Sequence, residues 1–247
     1  MSFADHFSEK SAGYAQARPT YPEAFYRLVA ENAPAREAAW DCATGNGQAA
    51  IGLARHFARV EATDASAQQV AHALPAPNVS YSVQPAESTR FAPSSFDAVC
   101  VAQALHWFDI ERFYAEAKRV LRPNGVLAVV AYGWSTVSPE FDAQLQRLVI
   151  DPIAPLWPPQ NQLIMNGYRD LAFPFERIAT PQLRIEVRWS FDRMVEYLAT
   201  WTATRRMLER DPAFLDRARP ALVAAWGAEP MRAVAMPLVV LCGRRPE

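Results

Sequence analysis

The stretch Trp40–Ala54, W-D-C-A-T-G-N-G-Q-A-A-I-G-L-A, constrains the fold more than any other: an apolar run ends in an acid, turns through Gly-x-Gly and opens at once into a helical pattern. A strand that turns this tightly into a helix belongs to the βαβ units of a parallel sheet. Gly45 and Gly47 carry no Cβ, so a ligand can approach the chain closely and reach the unpaired N–H groups of the helix start. Phosphate-bearing dinucleotides favour such a place. Asp41, just ahead of the turn, would repel a pyrophosphate and suits a ligand carrying an amino group. Both ligand classes stay open on this stretch alone.

The strand–helix rhythm continues along the chain. A strand ends at Asp41, a helix spans Gln48–Phe57, a strand Val60–Asp64, and a helix begins near Ser66. Strands follow at Val79–Gln84 and Phe96–Ala102, then a helix at Ile110–Leu121 with Asp109 as N-cap and Pro123-Asn124-Gly125 as its stop. Val126–Ala131 reads as a strand covered on both faces. Residues 1–22 form a leader, ending at the prolines of R-P-T-Y-P. Between Gly133 and Phe175 the rhythm breaks into one helical run, Pro139–Ile150, and the segment D-P-I-A-P-L-W-P-P-Q, whose prolines exclude regular structure. This part, residues 134–175, is expected to be an inserted cap. A half-exposed strand at Leu183–Trp189, helices near Phe191–Glu209 and Phe214–Trp226, and a last strand within Arg232–Arg244 complete seven strands in a single domain of 1–247.

Composition narrows the partners. Twenty-five basic residues nearly balance 26 acidic ones, giving a formal net charge of −1, so no field recruits nucleic acid or an acidic membrane surface. Cys42, Cys100 and Cys242 are odd in number and show neither a disulfide framework nor C-x-x-C metal spacing, which fits a reducing cytoplasm. No uncharged apolar stretch approaches the ~18 residues of a membrane span, and the N-terminus does not read as a secretion signal. A small-molecule partner is expected, with no nucleic acid, membrane or metal, in a monomer or homodimer.

Gly45, Gly47 and Ala50 satisfy G-x-G-x-x-G/A, and Asp64 ends the next strand, where an acid accepts hydrogen bonds from ribose hydroxyls. A plain helix-capping role fits Asp64 as well. In F-D-A-V-C-V-A-Q-A-L-H-W-F-D, residues 96–109, a buried strand runs into Gln103, His106 and Trp107 at its carboxyl end, the crevice where open α/β sheets bind ligands. Asp97 reads as a solvated strand-start residue. His106 fits a hydrogen-bonded wall or a proton-transfer role, and Trp107 fits core packing or a ligand contact.

D-C-A-T-G-N-G-Q, T-D-A-S at 63–66, A-E at 86–87, the 96–109 segment and R-V-L-R-P-N-G at 119–125 resemble, in order and spacing, class I S-adenosylmethionine-dependent methyltransferases. The leader, F-S-E-K-S-A-G-Y-A-Q-A-R-P-T-Y-P, is similar to the opening of the branch containing trans-aconitate methyltransferase-like enzymes. The resemblance implies a Rossmann-like three-layer α/β sandwich with a seven-stranded, mostly parallel sheet, its last strand antiparallel, and a cap after strand five. It implies S-adenosylmethionine as cofactor, with Asp41 and Gly45 at its methionine part, Asp64 at the ribose, Ala65 and Glu87 near the adenine, and Gln103 beside the sulfonium. Tyr14 and Arg18 would close over the cofactor, and His106 and Trp107 would face the transferred methyl. The family's glycine at the first turn position is Ala43 here, which is strained only if φ is positive there.

The acceptor would be a small molecule, a carboxylate among the options, which needs no general base. A hydroxyl or amine acceptor needs one, and His106 is then the first residue to test. The aromatic residues Trp134, Trp157, Tyr168 and Phe173 are expected to line the acceptor pocket, and Arg169, Arg177, Arg205 and Arg206 hint at an anionic acceptor. From the turn and Asp64 alone, an NAD(P)-dependent oxidoreductase is the alternative enzyme. A cofactor-binding module without turnover is a third reading, motivated by Ala43.

Overall fold

The computed structural model describes residues 19–246. A helix at Glu23–Asn32 precedes five parallel strands: β1 (Ala38–Cys42), β2 (Arg59–Asp64), β3 (Val79–Val83), β4 (Phe96–Ala102) and β5 (Leu121–Tyr132). They lie in the order β3-β2-β1-β4-β5, and helices Gln48–Leu53, Ala67–Ala71 and Ile110–Val120 occupy the connections. The order reverses beside β1, the usual place for a ligand crevice in such sheets.

The antiparallel part hangs on the long last strand, β8 (Arg232–Arg244), with a short β6 (Glu176–Arg177) and β7 (Arg184–Trp189). From Leu238 to Arg244, β8 runs antiparallel to β5, and from Arg232 to Pro237 it pairs with β7. The expected sheet, seven strands mostly parallel with an antiparallel last one, is therefore present. Two-residue β6 is an addition to it, pairing Glu176 and Arg177 with Arg244 and Gly243. Two exposed charged residues carry no periodicity from which it could be foreseen.

Alternation along the strands builds two cores. Ala39, Ala98, Cys100 and Val130 face Phe25, Tyr26 and Leu53, while Trp40, Val99, Leu127 and Val129 face Phe113 and Val120. Cover on both faces explains why these strands are apolar throughout, and each fully buried phenylalanine such as Phe113 contributes about 2 kcal/mol.

Asp97 is fully buried, not solvated. Its Oδ2 accepts from the backbone N–H groups of Glu37 and Ala38, both at 2.9 Å, and its Oδ1 accepts from Arg122 at 2.7 Å. The carboxylate thus ties the starts of β1 and β4 to the turn before the paired part of β5, where the register jumps from Phe96↔Leu121 to Ala98↔Val126.

Other boundaries also moved. The helix expected at Gln48–Phe57 ends at Leu53, and the one expected at Phe191–Glu209 is two, Phe191–Ala199 and Thr202–Arg210. At the break Trp201 is extended, and its buried ring packs 5.1 Å from Trp134 and 5.7 Å from Tyr197. The proline-rich segment is not irregular: short helical turns occupy Asp151–Ile153, Ala154–Leu156 and Pro159–Asn161. Pro159 opens its turn after the extended Pro158, where a missing N–H breaks no helical bond, whereas Pro152 and Pro155 fall in a helical run continuous from Pro139 that widens to a π-turn at Gln146–Ile150.

Candidate functional site

The turn after β1 forms one wall of a cleft of about 900 Å³ at the carboxyl ends of β1, β2 and β4. Ala43 has φ 56°, Gly45 φ 55° and Gly47 φ 88°, so the turn uses left-handed backbone three times, once at an alanine. The site of a Cβ on Gly45 has no atom within 4 Å, leaving the backbone open there. Asp64 stands at the end of β2, beside the turn and in the same lining. Its Oδ2 accepts from the Gly45 N–H at 2.9 Å and its Oδ1 from the Ser66 N–H at 2.8 Å. Burial raises the Asp64 carboxyl, and those two bonds pull it back down.

Asp41 does not line this cleft. It shares a face of β1 with Ala39, turned toward the layer of Tyr26, and is fully buried. The Thr44 hydroxyl donates to its Oδ2, and its Oδ1 has no partner among the described residues. Burial pushes the carboxyl up to about 7 against opposing bonds from Thr44 and the Ala50 backbone. A side chain ahead of the turn belongs to the strand, and its direction follows the pleat, so Asp41 supports the turn from behind. Ala65 is exposed beside Asp64 and outside the lining, while Glu87 is engaged elsewhere, accepting from the Asp109 N–H at 3.1 Å at a helix start. Tyr14 and Arg18 lie outside the described residues.

At the end of β4, Gln103 takes φ 55° and its amide clasps the end of β5. It donates to the Tyr132 carbonyl at 3.1 Å and accepts from the Tyr132 N–H at 3.2 Å. Gln103, Trp107 and Tyr132 belong both to the cleft and to a second cavity of about 670 Å³, so the two spaces share a wall. Of the five described non-glycine residues with positive φ, Ala43 and Gln103 line the cleft and Tyr168 supports His106. Such strained backbone concentrates where a site must be pre-shaped.

The second cavity is aromatic. Trp134, Trp157 and Trp201 line it as one packed cluster, their ring centroids 5.1–6.2 Å apart, and Tyr197, Asn161 and Thr202 are further lining residues. Trp134 and Trp157, of the aromatic residues singled out in the sequence, are among its lining residues. Tyr168 instead stands behind His106, and Phe173 packs on Phe175 and Tyr114 away from the cavity. None of Arg169, Arg177, Arg205 and Arg206 lines it.

His106 is buried in this wall, its ring 4.8 Å from that of Trp107. Desolvation pushes the imidazole down to about 3, so it is neutral near pH 7. Its Nδ1 lies 3.3 Å from the Tyr168 hydroxyl, which also accepts from the His106 backbone N–H. The Tyr168 oxygen keeps a second lone pair, so either tautomer of the neutral ring satisfies this contact. An imidazole held this far below its ordinary value is a weak base.

Several lining residues carried little signal in the sequence. Tyr21, Gln69 and Tyr132 reach the cleft, and Tyr197, Trp201 and Asn161 the cavity, from elements that read as ordinary helix, strand or loop. The usable signals were small: Gln69 is a buried polar side chain beside the capping Ser66, and Trp201 interrupts a helical pattern. Among the described residues, no group of three or more His, Cys, Asp or Glu side chains is placed to hold a metal ion, and no helix is long and apolar enough to cross a membrane.

Residues 40–129, from β1 through β5, match the family model of a methyltransferase domain. A chain of Dictyostelium discoideum, provisionally named a methyltransferase, is 32% identical over 204 residues, covering 81% of this chain and 78% of its own length. A solved structure from Anaeromyxobacter dehalogenans, provisionally named a type II methyltransferase, superposes with a TM-score of 0.87 at 46% identity, covering 92% of this chain and 98% of that one. The phosphoethanolamine N-methyltransferase 2 of Haemonchus contortus, solved in complex with S-adenosyl-L-methionine, shares the fold at a TM-score of 0.52 and 19% identity, over all of this chain and 60% of that one. A sheet of this order, a glycine turn after β1, an acid ending β2 and these relatives agree: the chain belongs to the class I S-adenosylmethionine-dependent methyltransferases.

Proposed function

We propose that this protein methylates a small molecule bound in the aromatic cavity, with S-adenosylmethionine held in the adjoining cleft. The observation that carries this reading is the wall of Gln103, Trp107 and Tyr132 shared by the two spaces. A group held on the cleft side of that wall meets a group held on the cavity side within one side chain's reach. Membership of the methyltransferase family displaces the hydride-transfer alternative.

The cleft suits the cofactor chemically. Each Asp64 oxygen already accepts one backbone N–H and keeps a further lone pair, enough for a ribose diol. Ala43, Gly45 and Ala49 give an apolar, close-approach surface in the same lining as Asp64. Asp41 holds the turn in shape through Thr44. In this reading Tyr14 and Arg18 of the leader cover the cofactor, Arg18 as a carboxylate partner, and residues 134–175 form the cap over the acceptor.

When bound, the cofactor supplies a methyl group already made electrophilic by the sulfonium. The protein's own residues then position and dehydrate. Gln103 fixes the shared wall by its two hydrogen bonds to the Tyr132 backbone, and Trp107 presents its indole to both spaces. The tryptophan cage excludes water, and alignment of nucleophile with the methyl is the main demand. His106 serves as a neutral wall residue that orients Trp107 and the acceptor, with no proton transfer assigned to it.

Calorimetric titration with S-adenosylhomocysteine tests the cleft. Asp64→Asn should weaken binding by about 10- to 100-fold, the range for losing hydrogen bonds to a charged group. Unchanged affinity would remove Asp64 from the site. Tight S-adenosylhomocysteine binding with no methyl transfer to any metabolite in a broad panel would favour the non-catalytic module.

A further inference from the structure

We infer that the Gln69 side-chain amide reads the base of the cofactor, and that it selects a purine carrying a 6-amino group. This rests on the cleft holding S-adenosylmethionine with its ribose on Asp64. The strand ends set the direction in which such a molecule lies. In the order β3-β2-β1-β4, Gln103 follows β4 and Asp64 ends β2, two strands away. A cofactor with its sulfur beside Gln103 and its ribose on Asp64 carries its base onward, to the side of Asp64 away from β4. The cleft lining continues with Ser66 and Gln69, which follow Asp64 in the chain.

Ala65 and Glu87, which the resemblance places near the adenine, are not among the lining residues, and the Glu87 carboxylate accepts from the Asp109 N–H at 3.1 Å. Besides Gln103, three side-chain amides line the cleft. Asn46 and Gln48 are half-buried in the turn and helix start after β1, whereas Gln69 is buried. Its backbone is held in line with the ribose acid: the Gln69 N–H donates to the Ser66 hydroxyl at 3.3 Å, and the Ser66 N–H donates to Asp64 Oδ1 at 2.8 Å. An amide offers an accepting oxygen and a donating NH2 group side by side. A 6-aminopurine offers the complement, an amino donor flanked by ring-nitrogen acceptors, the pairing by which Gln and Asn recognise adenine in nucleic acids. A purine without the amino group leaves the amide oxygen unpaired in a buried place, and a site built around such a bond rejects the analogue lacking it.

The test is calorimetric titration of the full chain with S-adenosylhomocysteine and with its 6-deamino analogue, in which hydrogen replaces the amino group of the base. S-Adenosylhomocysteine should bind at least about tenfold more tightly than the analogue. Gln69→Met keeps the length of the side chain and removes the amide, and should bind the two ligands within about threefold of one another, the loss falling on S-adenosylhomocysteine. Unchanged affinity of Gln69→Met for the analogue certifies that the variant is folded. Asp64→Asn is the control: the ribose is common to both ligands, so both should weaken alike and their ratio should stay at about ten or above. An analogue that binds the natural protein as tightly as S-adenosylhomocysteine overturns the inference without any variant. A ratio that stays at about ten or above in Gln69→Met also overturns it, and leaves the cofactor site standing. If neither ligand binds the natural protein, the assignment of the cleft to S-adenosylmethionine falls, and the inference with it.

Discussion

Replacing Ala43 by glycine should stabilise the protein, against the usual effect of adding glycine. Ala43 sits at φ 56°, where an L-residue with a Cβ is strained by about 1–2 kcal/mol. Glycine removes that strain but has more freedom to lose on folding, which offsets about 0.4–1 kcal/mol. The net expectation is a gain of about 0.5–1 kcal/mol, or roughly 1–4 °C in Tm for a chain of this size. Gly45→Ala is the mirror control: φ is 55° and nothing lies within 4 Å of the new methyl, so the strain and chain-freedom terms both reverse sign with no clash added. Gly47→Ala should be worse than either, since at φ 88° its Cβ would stand 2.3 Å from the Tyr81 hydroxyl. Urea unfolding, cross-checked by calorimetric Tm, orders the three. Affinity for S-adenosylhomocysteine should change less than about threefold in Ala43→Gly, because a strain present in both free and bound states cancels from binding. A destabilised Ala43→Gly variant would refute the left-handed assignment. A gain in affinity of about tenfold or more would refute a pre-formed turn.

Three further outcomes follow from the buried groups. Asp97→Ala strips the hydrogen-bond acceptors from two backbone N–H groups and from Arg122, and should destabilise by about 3–5 kcal/mol in urea unfolding; a change below about 1 kcal/mol would show that Asp97 is not the tie between β1 and β4. Asp41 holds its proton up to about 7 when folded, against 3.8 as the ordinary value, so its contribution to stability is present at pH 4 and is lost as pH rises through about 7. Asp41→Asn should therefore gain on the natural protein between pH 5 and pH 8, by an amount on the order of a few kcal/mol, and parallel pH curves would contradict a carboxyl whose charge burial disfavours. His106, pushed down to about 3, should contribute no inflection to a kcat profile between pH 5.5 and 8, and an inflection that disappears in His106→Asn would restore it as a base.

The sheet was legible because its strands are apolar on both faces and its turns are punctuated: β4 is present as read, Phe96–Ala102, and Asp109 and Ser66 cap the helices they precede. Helix ends were less legible, since Ala54 to Phe57 keep helical composition while the helix stops at Leu53. The cleft followed from local pattern at Ala43, Gly45, Asp64 and Gln103, which chain order alone brings to one edge. Asp41 was misplaced because side-chain direction on a strand depends on which face the pleat gives it, and an acid next to a ligand turn reads as ligand-facing until that face is known. The cavity was only half legible: Trp134 and Trp157 stood out as aromatic residues of the insertion, whereas Tyr197 and Trp201 come from helices distant in sequence. The prolines of 152–159 misled because Pro159 fits the first turn it opens, and because a helix that widens to a π-turn at Gln146–Ile150 and tightens at Ala154–Leu156 carries Pro152 and Pro155.

The central claim is that cofactor and acceptor meet across the wall of Gln103, Trp107 and Tyr132. A crystal structure with S-adenosylhomocysteine bound tests it most directly. The account predicts the ribose hydroxyls on Asp64 and the sulfur atom against Gln103 and Trp107, its vacant methyl direction opening into the cavity that Trp134, Trp157 and Trp201 line. A sulfur atom turned away from that cavity, or a ribose out of reach of Asp64, would contradict it.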